Sequence, residues 1–476
     1  MRRPIVRISP FELHVDDSSF FNEIYRQDGR WHKYEFSTKG QAAPGGAVFT
    51  ADHDAHKRRR MAINPFLSKP AIMKRMDLIQ SKINLLQERI KEATNQGTMF
   101  ELGLAFSAMT IDIATAYVMG KSYDSLRSPG FNKELTRVLQ EGGYLWHVNK
   151  HIQLSNFLFK HLLPFMPSGA VPEAVRPFFV FLRDCEDRTK ELIDLHDRQG
   201  VTNTGEEKPS ARGFPSSQTL VELIMSSSLP REEKQYKRIN DEVGTVTGAG
   251  FETSSNTLRH ISYHLYSNPH ILARLRAELD AHPEACTEAA APEDAEGTAS
   301  HNHRTWSWDK LSRLPYLTGV VKEGLRLTPG IVTRMQRVAE HPLTYREGGA
   351  GANGRAWTLP AGTPVGMSLM SMHMDEDVFP QPLRFWPERW ADEEDEGRRK
   401  RLDKHFAPFS RGTRICVGMH LAWAELYLTV AMLASQFDFE FTGGTGPEDV
   451  EWLNDRFILG VKGKNGIRVV ASKRQA

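Results

Sequence analysis

The chain has 476 residues, of which 40% are hydrophobic and 25% charged, with a net charge of +2. That composition is ordinary for a globular protein, and the near-neutral balance removes the electrostatic basis for nucleic-acid binding. The three cysteines, Cys185, Cys286 and Cys416, are too few for a disulfide framework and fit a reducing compartment.

In chain order, short apolar alternations at Pro4–Ile8 and Glu12–Val15 predict a strand pair. Ser18–Arg26 reads as helix and Asp28–Thr50 as a glycine-rich loop. A basic helix is predicted over Asp54–Leu67, followed by helical periodicity at Met76–Ala93, Leu102–Met119 and Lys133–His147. Residues 156–166 form an apolar segment broken by Pro164. Glu173–Asp197 is again helical, and Gly200–Ser217 is a polar linker. The longest helical pattern, Glu232–Tyr266, contains no proline. Residues 282–305 lose apolar periodicity and read as a surface insertion loop. Strand signals cluster late, at Leu343–Tyr345, Arg355–Leu359, Thr363–Met367, Phe457–Val461 and Gly466–Val470. No repeat is visible, and no apolar run of membrane-spanning length is expected. These patterns predict a mainly α fold with minor β, as one domain over residues 1–476.

The most informative stretch is Phe409-Ser-Arg-Gly412-Thr-Arg414-Ile-Cys416-Val-Gly418. Glycines on both sides of a lone cysteine let the backbone turn tightly beneath a flat ligand. The helical pattern that follows would point amides at the sulfur and favour thiolate. A thiolate on haem iron favours O–O cleavage. A chance match to five fixed positions has odds on the order of one in ten thousand. A buried structural cysteine is the plain alternative.

This stretch resembles the haem-binding signature of the cytochrome P-450 family. Further motifs follow the same resemblance in the expected order. Ala249-Gly250-Phe251-Glu252-Thr253-Ser254, in mid-helix where glycine is locally unfavourable, resembles the family's oxygen-activation motif. Glu323-Gly-Leu-Arg326 with Pro382-x-x-Phe385-x-Pro387-x-Arg389 resembles its buried charge network. The resemblance implies a triangular α-rich prism with small sheets and haem b on Cys416 as axial thiolate. It also implies Phe409 beside the sulfur, and Arg414, His56, Arg60 and Arg337 at the propionates, with Arg334 the competitor to Arg337. Gly250 would leave room for O₂, while Thr253 and Glu252 would deliver protons to it. By the same resemblance the substrate pocket includes Phe49, Thr50, Trp146, Phe251, Val332 and Thr333, mostly apolar, which predicts a lipophilic substrate.

The wording of the chain looks most like filamentous-fungal members, often oxidases of terpenoid or polyketide secondary metabolism. The implied activity is monooxygenation with electrons from NADPH–cytochrome P-450 reductase. Two other readings stay open: a reductase-independent isomerase, dehydratase or peroxygenase, and a non-catalytic haem-binding protein. Lys57–Arg59 and Arg398–Arg401 are candidates for a basic docking face, an ordinary charged surface being the alternative. Residues 157–166 are a candidate for peripheral membrane contact. Eukaryotic members usually begin with a membrane anchor, whereas the resemblance here starts at the first strand pair. The expectation is a truncated form of a protein on the cytosolic face of the endoplasmic reticulum membrane, or otherwise a cytoplasmic or peripheral one.

Overall fold

The computed structural model describes residues 4–39, 43–152, 157, 173, 176–202, 218–289, 303–348 and 353–475. At its centre is the helix Leu102–Met119, apolar on every side and buried almost throughout. Such a helix must sit inside a core or a membrane. Its sequence is long and apolar enough to cross a bilayer, yet 89% of it is buried inside the protein. The expectation that no such run exists is corrected here, and the apolarity belongs to packing. Both carboxylate oxygens of Glu101 accept from the first free amides, Gly103 N at 2.7 Å and Leu104 N at 2.8 Å. Gly120 at φ 69° closes the other end.

The 31-residue helix Tyr236–Tyr266 lies along that central helix in the most extensive helix contact among the described residues. Against its other side pack Met419–Gln436 and Pro315–Leu327. Buried side chains from all four join one large core that includes Ile113, Leu258, Val320 and Leu428. A second, smaller core holds Val15, Phe21, Trp31, Tyr345 and Val365 beneath a mixed sheet.

That sheet runs in the order Ile5–Ser9, Glu12–Val15, Pro364–Gly366, Arg337–Ala339, Trp31–Lys33. Only the pairing of Glu12–Val15 with Pro364–Gly366 is parallel. It ties the first strands to a segment some 350 residues later and places Arg337 directly opposite Lys33.

Most predicted helices lie where periodicity placed them, with ends shifted by a few residues, such as Met76–Gln96 and Lys133–His151. Three expectations are corrected. Residues 28–50 contain the strand Trp31–Lys33 and the short helix Glu35–Thr38. The insertion at 282–305 has a stem of two antiparallel strands, Cys286–Ala289 and His303–Trp306. The strand Phe437–Phe441 was missed although Phe-Asp-Phe-Glu-Phe alternates with period 2. The apolar segment 156–166 lies outside the described residues except Phe157, which is exposed, and of the linker 200–217 only the helical residues 200–202 are described.

Candidate active site

The cysteine loop is built by backbone geometry. Cys416 N donates to Phe409 O at 3.0 Å, closing the turn. Gly412 sits at φ 74°, and a Cβ there would collide with the Arg26 carbonyl oxygen, so only glycine fits. The amides of Gly418 and Met419, at the start of the Met419–Gln436 helix, and the Arg60 cation favour thiolate at Cys416. Burial opposes them more strongly and raises its pKa. Yet Cys416 is also exposed. Both facts hold if the sulfur opens onto a space enclosed by protein. Phe409 packs its ring 5.6 Å from Trp423.

Around this loop the structure gathers the predicted propionate residues. His56, on the helix His53–Ile63, is 3% exposed, and Arg337 is equally buried. Arg60 donates to Ile415 O at 2.8 Å, within the cysteine loop. Arg414 donates to Thr50 O at 2.6 Å and Ala51 O at 2.9 Å, and its Nε is buried without a partner. Among the described residues Arg337 reaches only the backbone carbonyls of Gln336 and Met335 and the ring of Tyr25. Arg334, the competitor, is exposed, whereas Arg337 is buried.

These groups perturb one another strongly. Burial first, then Arg337 and Arg60, push Arg414 down to about 9. Burial, then Arg414, Lys33, Arg60 and Arg337, push His56 down to about 2, so its imidazole is neutral. No carboxylate is ion-paired with Arg60, Arg337 or Arg414 among the described residues; Asp52 and Glu242 act on them only at longer range. Buried cations without counter-charge are costly. A ligand carrying two carboxylates beside the Cys416 sulfur fits this set, and haem b is such a ligand.

The oxygen-activation motif lies in the middle of Tyr236–Tyr266. Ala249 is exposed although it sits mid-helix, and Thr253 and Glu252 are half-buried. The Thr253 hydroxyl donates to Ala249 O at 3.1 Å. Such back-bonding loosens the helix at this turn. One expectation is corrected: a Cβ on Gly250 would meet Ala114 Cβ at 3.0 Å, so this glycine permits close helix packing. The open positions are Gly244 and Gly248, where an added Cβ meets nothing within 4 Å.

The charge network is buried and bonded throughout. Glu323 and Arg326 are both 0% exposed, with Oε1 2.7 Å from Nη2 and Oε2 3.0 Å from Nε. Arg389 Nε donates to Glu323 at 3.0 Å and Trp390 Nε1 at 2.8 Å. Sequence reasoning missed His373, which bridges this network to the cysteine loop. Ala407 N–H donates to His373 Nε2 at 3.1 Å, so Nδ1 carries the proton and donates to Arg326 O at 3.0 Å. Burial and Arg326 push His373 down to about 3, which keeps it neutral. A histidine three residues after an apolar run gave no signal by itself.

Three of the six pocket candidates come together and the other three lie apart. Trp146 packs edge-on 5.0 Å from Phe457, Val332 N donates to Phe457 O, and Thr333 donates to Asp455. Phe457 and Asp455 were not predicted, although the φ of 74° at Phe457 marks a strained tip. Thr50 belongs beside Arg414, and Phe251 packs into the core against Phe181 at 5.9 Å. Phe49 is partly buried. The basic face is also reduced. Arg59 pairs with Glu233 at 2.8 Å, Arg398 with Glu393 and Lys400 with Glu396, while Lys57, Arg58, Arg399 and Arg401 are exposed.

Comparison with known proteins agrees with this geometry. The cytochrome P-450 family model matches residues 14–465. The chain is 33% identical to tryptophan 6-hydroxylase of Fusarium equiseti, over 99% of its own length and 85% of the relative's. It is likewise 33% identical to N-acetyltryptophan 6-hydroxylase of Emericella nidulans, with the same coverage. A monooxygenase of Penicillium crustosum is 31% identical, with 99% of each chain covered. Among solved structures, a cytochrome P-450 crystal structure matches with a TM-score of 0.69 at 18% identity, covering 97% of this chain and 89% of the other. The fold and site define a haem-thiolate oxidoreductase. The chain belongs to the cytochrome P-450 family and is a monooxygenase related to fungal enzymes of secondary metabolism.

Proposed function

We propose that this chain hydroxylates a lipophilic small molecule of fungal secondary metabolism, a terpenoid or polyketide, with electrons from an NADPH-dependent reductase. The observation that carries the haem assignment is the set of buried, uncompensated cations around an enclosed yet accessible Cys416. Arg60, Arg337, Arg414 and neutral His56 would hold the propionates by charge-assisted and neutral hydrogen bonds. Cys416 would supply the thiolate ligand, its charge partly offset by the Gly418 and Met419 amides and Arg60, which oppose the effect of burial. Haem bound in this way supplies the activation of O₂ that no side chain can perform.

The chain's own part is orientation and proton handling. Thr253 holds a hydroxyl proton at the loosened turn beside Ala249, where it can be donated into the cavity. Glu252, three residues beyond Ala249, lies within one helical turn and can replace that proton, which is general-acid work. The open space at Gly244 and Gly248 supports a bulky substrate, and Trp146, Phe457 and Val332 support an apolar one. The exposed Lys57, Arg58, Arg399 and Arg401 are basic residues available for docking a reductase.

A second substrate reading has support of its own. Two relatives are named for hydroxylating tryptophan or its N-acetyl form. The cluster of Asp455, Thr333 and His147 beside Trp146 offers a polar anchor near aromatic surface. An indole substrate therefore competes with a terpenoid or polyketide. We place the protein on the endoplasmic reticulum membrane, facing the cytosol, as the working localisation.

The test is spectroscopic and kinetic. The reduced, CO-bound protein should show the red-shifted Soret band of thiolate ligation, and Cys416→Ala should lose it. With added reductase, NADPH and O₂ should be consumed together when substrate is present. Haem binding without any NADPH-dependent O₂ uptake would transfer the assignment to a reductase-independent enzyme or a non-catalytic haem protein.

A further inference from the structure

The pocket group of Trp146, Val332 and Thr333 has a basic rim. One helical turn beyond Trp146, the Lys150 ammonium lies 5.1 Å from the Trp146 ring and 5.0 Å from the Phe36 ring. It has no hydrogen-bond acceptor and no ion pair among the described residues, so only aromatic faces hold it. Arg334 follows Thr333 directly, is exposed, and has no acceptor either among the described residues. Gly366 lets it lie close against the sheet, since a Cβ there would meet Arg334 Cβ at 3.6 Å and Gln336 Cγ at 3.1 Å. Gly366 in turn pairs with His14 on the neighbouring strand.

Unbonded polar atoms surround the same place. Trp146 is 5% exposed and its indole Nε1 has no partner; His14 Nδ1 is buried without one, and Gln336 Oε1 is an orphaned acceptor beside it. Buried polar atoms are nearly always bonded. The carboxylates nearby are already engaged. Glu12 accepts from Gln336 at 2.9 Å. Asp455 accepts from the Thr333 hydroxyl and Phe457 N–H and lies 3.3 Å from His147 Nε2. Burial lowers the pKa of Lys150; Glu12 and Asp455 oppose that and Arg334 adds to it. Burial also lowers His14, where Asp16 opposes and Arg334 adds. Arg334 thus acts on groups from both walls, the helix and the sheet.

We propose that this rim binds a carboxylate carried by the substrate, held by Lys150, Arg334 and the Trp146 N–H, while an apolar body lies along Trp146, Phe457 and Val332. The inference rests on the pocket reading above and narrows it: the substrate is an organic acid with a lipophilic body, ionised at neutral pH. Three unbonded donors, two of them cationic, match a group that only accepts, and hydrogen bonds to ionised partners are the strong ones. The two rings already hold the Lys150 ammonium in place, which reduces the ordering that binding would cost.

The test is calorimetric titration of the haem-loaded protein with dodecanoate and with indole-3-propionate, each beside its methyl ester, for wild type, Lys150→Gln, Lys150→Arg and Arg334→Gln. At least one acid should bind wild type about tenfold or more tightly than its ester. K150Q and R334Q should each remove most of that preference by weakening the acid and leaving the ester unchanged, and K150R should keep it. If acid and ester bind wild type alike, if none of the four binds, or if the preference survives in both Gln variants, the rim is not a carboxylate site. Should K150Q fail to fold, R334Q alone decides, because Arg334 is exposed. The CO-bound Soret band of the same samples reports the haem assignment separately: its absence overturns that assignment, whereas the acid–ester preference reads the rim itself.

Discussion

Glu425 gives the sharpest test of the packing around the site. It lies on Met419–Gln436, nine residues past the cysteine, and is 1% exposed. Neither carboxylate oxygen has a full hydrogen bond, and Ser254, next to Thr253, is the one side chain that acts on it. Burial pushes its pKa from 4.5 up to about 8, with Ser254 opposing. Such a change corresponds to about 5 kcal/mol. The folded protein keeps a proton that the unfolded chain releases, so this contribution is fully present below about 4.5. It declines as pH rises and is gone above about 8. Glu425→Gln keeps the shape and stays neutral. The two proteins should be equally stable near pH 4.5, within about 1 kcal/mol. At pH 7 the variant should be more stable by about 3 kcal/mol, and above pH 8 by up to about 5 kcal/mol. Urea unfolding, followed by Soret absorbance and tryptophan fluorescence across pH, measures the difference. Other buried carboxylates with raised values, such as Glu101, Asp112 and Glu242, occur in both proteins and cancel. Parallel stability curves would refute the reasoning, because they would mean that Glu425 finds a counter-charge or water in the folded state.

Three further outcomes follow from the same geometry. Arg337→Met should raise the melting temperature of the haem-free protein, since like charges a few ångströms apart repel by about 3 kcal/mol at an effective dielectric near 20. It should lower that of the haem-loaded protein, and shifts of the same sign in both forms would contradict the cation cradle. Thr253→Ala should leave haem binding intact and raise the H₂O₂ released per NADPH consumed; an unchanged ratio would assign proton delivery elsewhere. Glu323→Gln should cost about 3–5 kcal/mol by stranding Arg326 and Arg389, visible as a lower urea midpoint, and near-wild-type stability would show that the network is dispensable.

The sequence was legible where one interaction type dominates. Leu102–Met119 was legible to the residue because it is one long apolar run bounded by Glu101 and Gly120, which cap its two ends. The cysteine loop was legible because backbone geometry restricts residue choice at Gly412. Short strands such as Trp31–Lys33 were not, because three residues carry no period and the strand exists only through its pairing with Arg337–Ala339. Lys33, His373 and Glu425 were missed for the same reason. Each is an ordinary polar residue until long-range packing removes its water.

Those residues share a consequence for how the site is specified. His373 is neutral because burial, then the Arg326 charge, lower its pKa, and its two nitrogens, bonded to Ala407 N and Arg326 O, couple the buried ion network to the segment leading into the cysteine loop. Lys33, Arg60, Arg337 and Arg414 lack that internal balance, with no carboxylate ion-paired to them among the described residues, and on the proposed assignment the ligand would answer their charges. The protein thus satisfies its buried charges on one side of the loop and leaves them unsatisfied on the other. A completed network gives rigidity without a ligand, because removing any member strands its partners. An incomplete one makes the ligand part of the fold, because binding supplies the missing counter-charge. On that proposal Cys416 stands between the two, held in position by the first and loaded by the second.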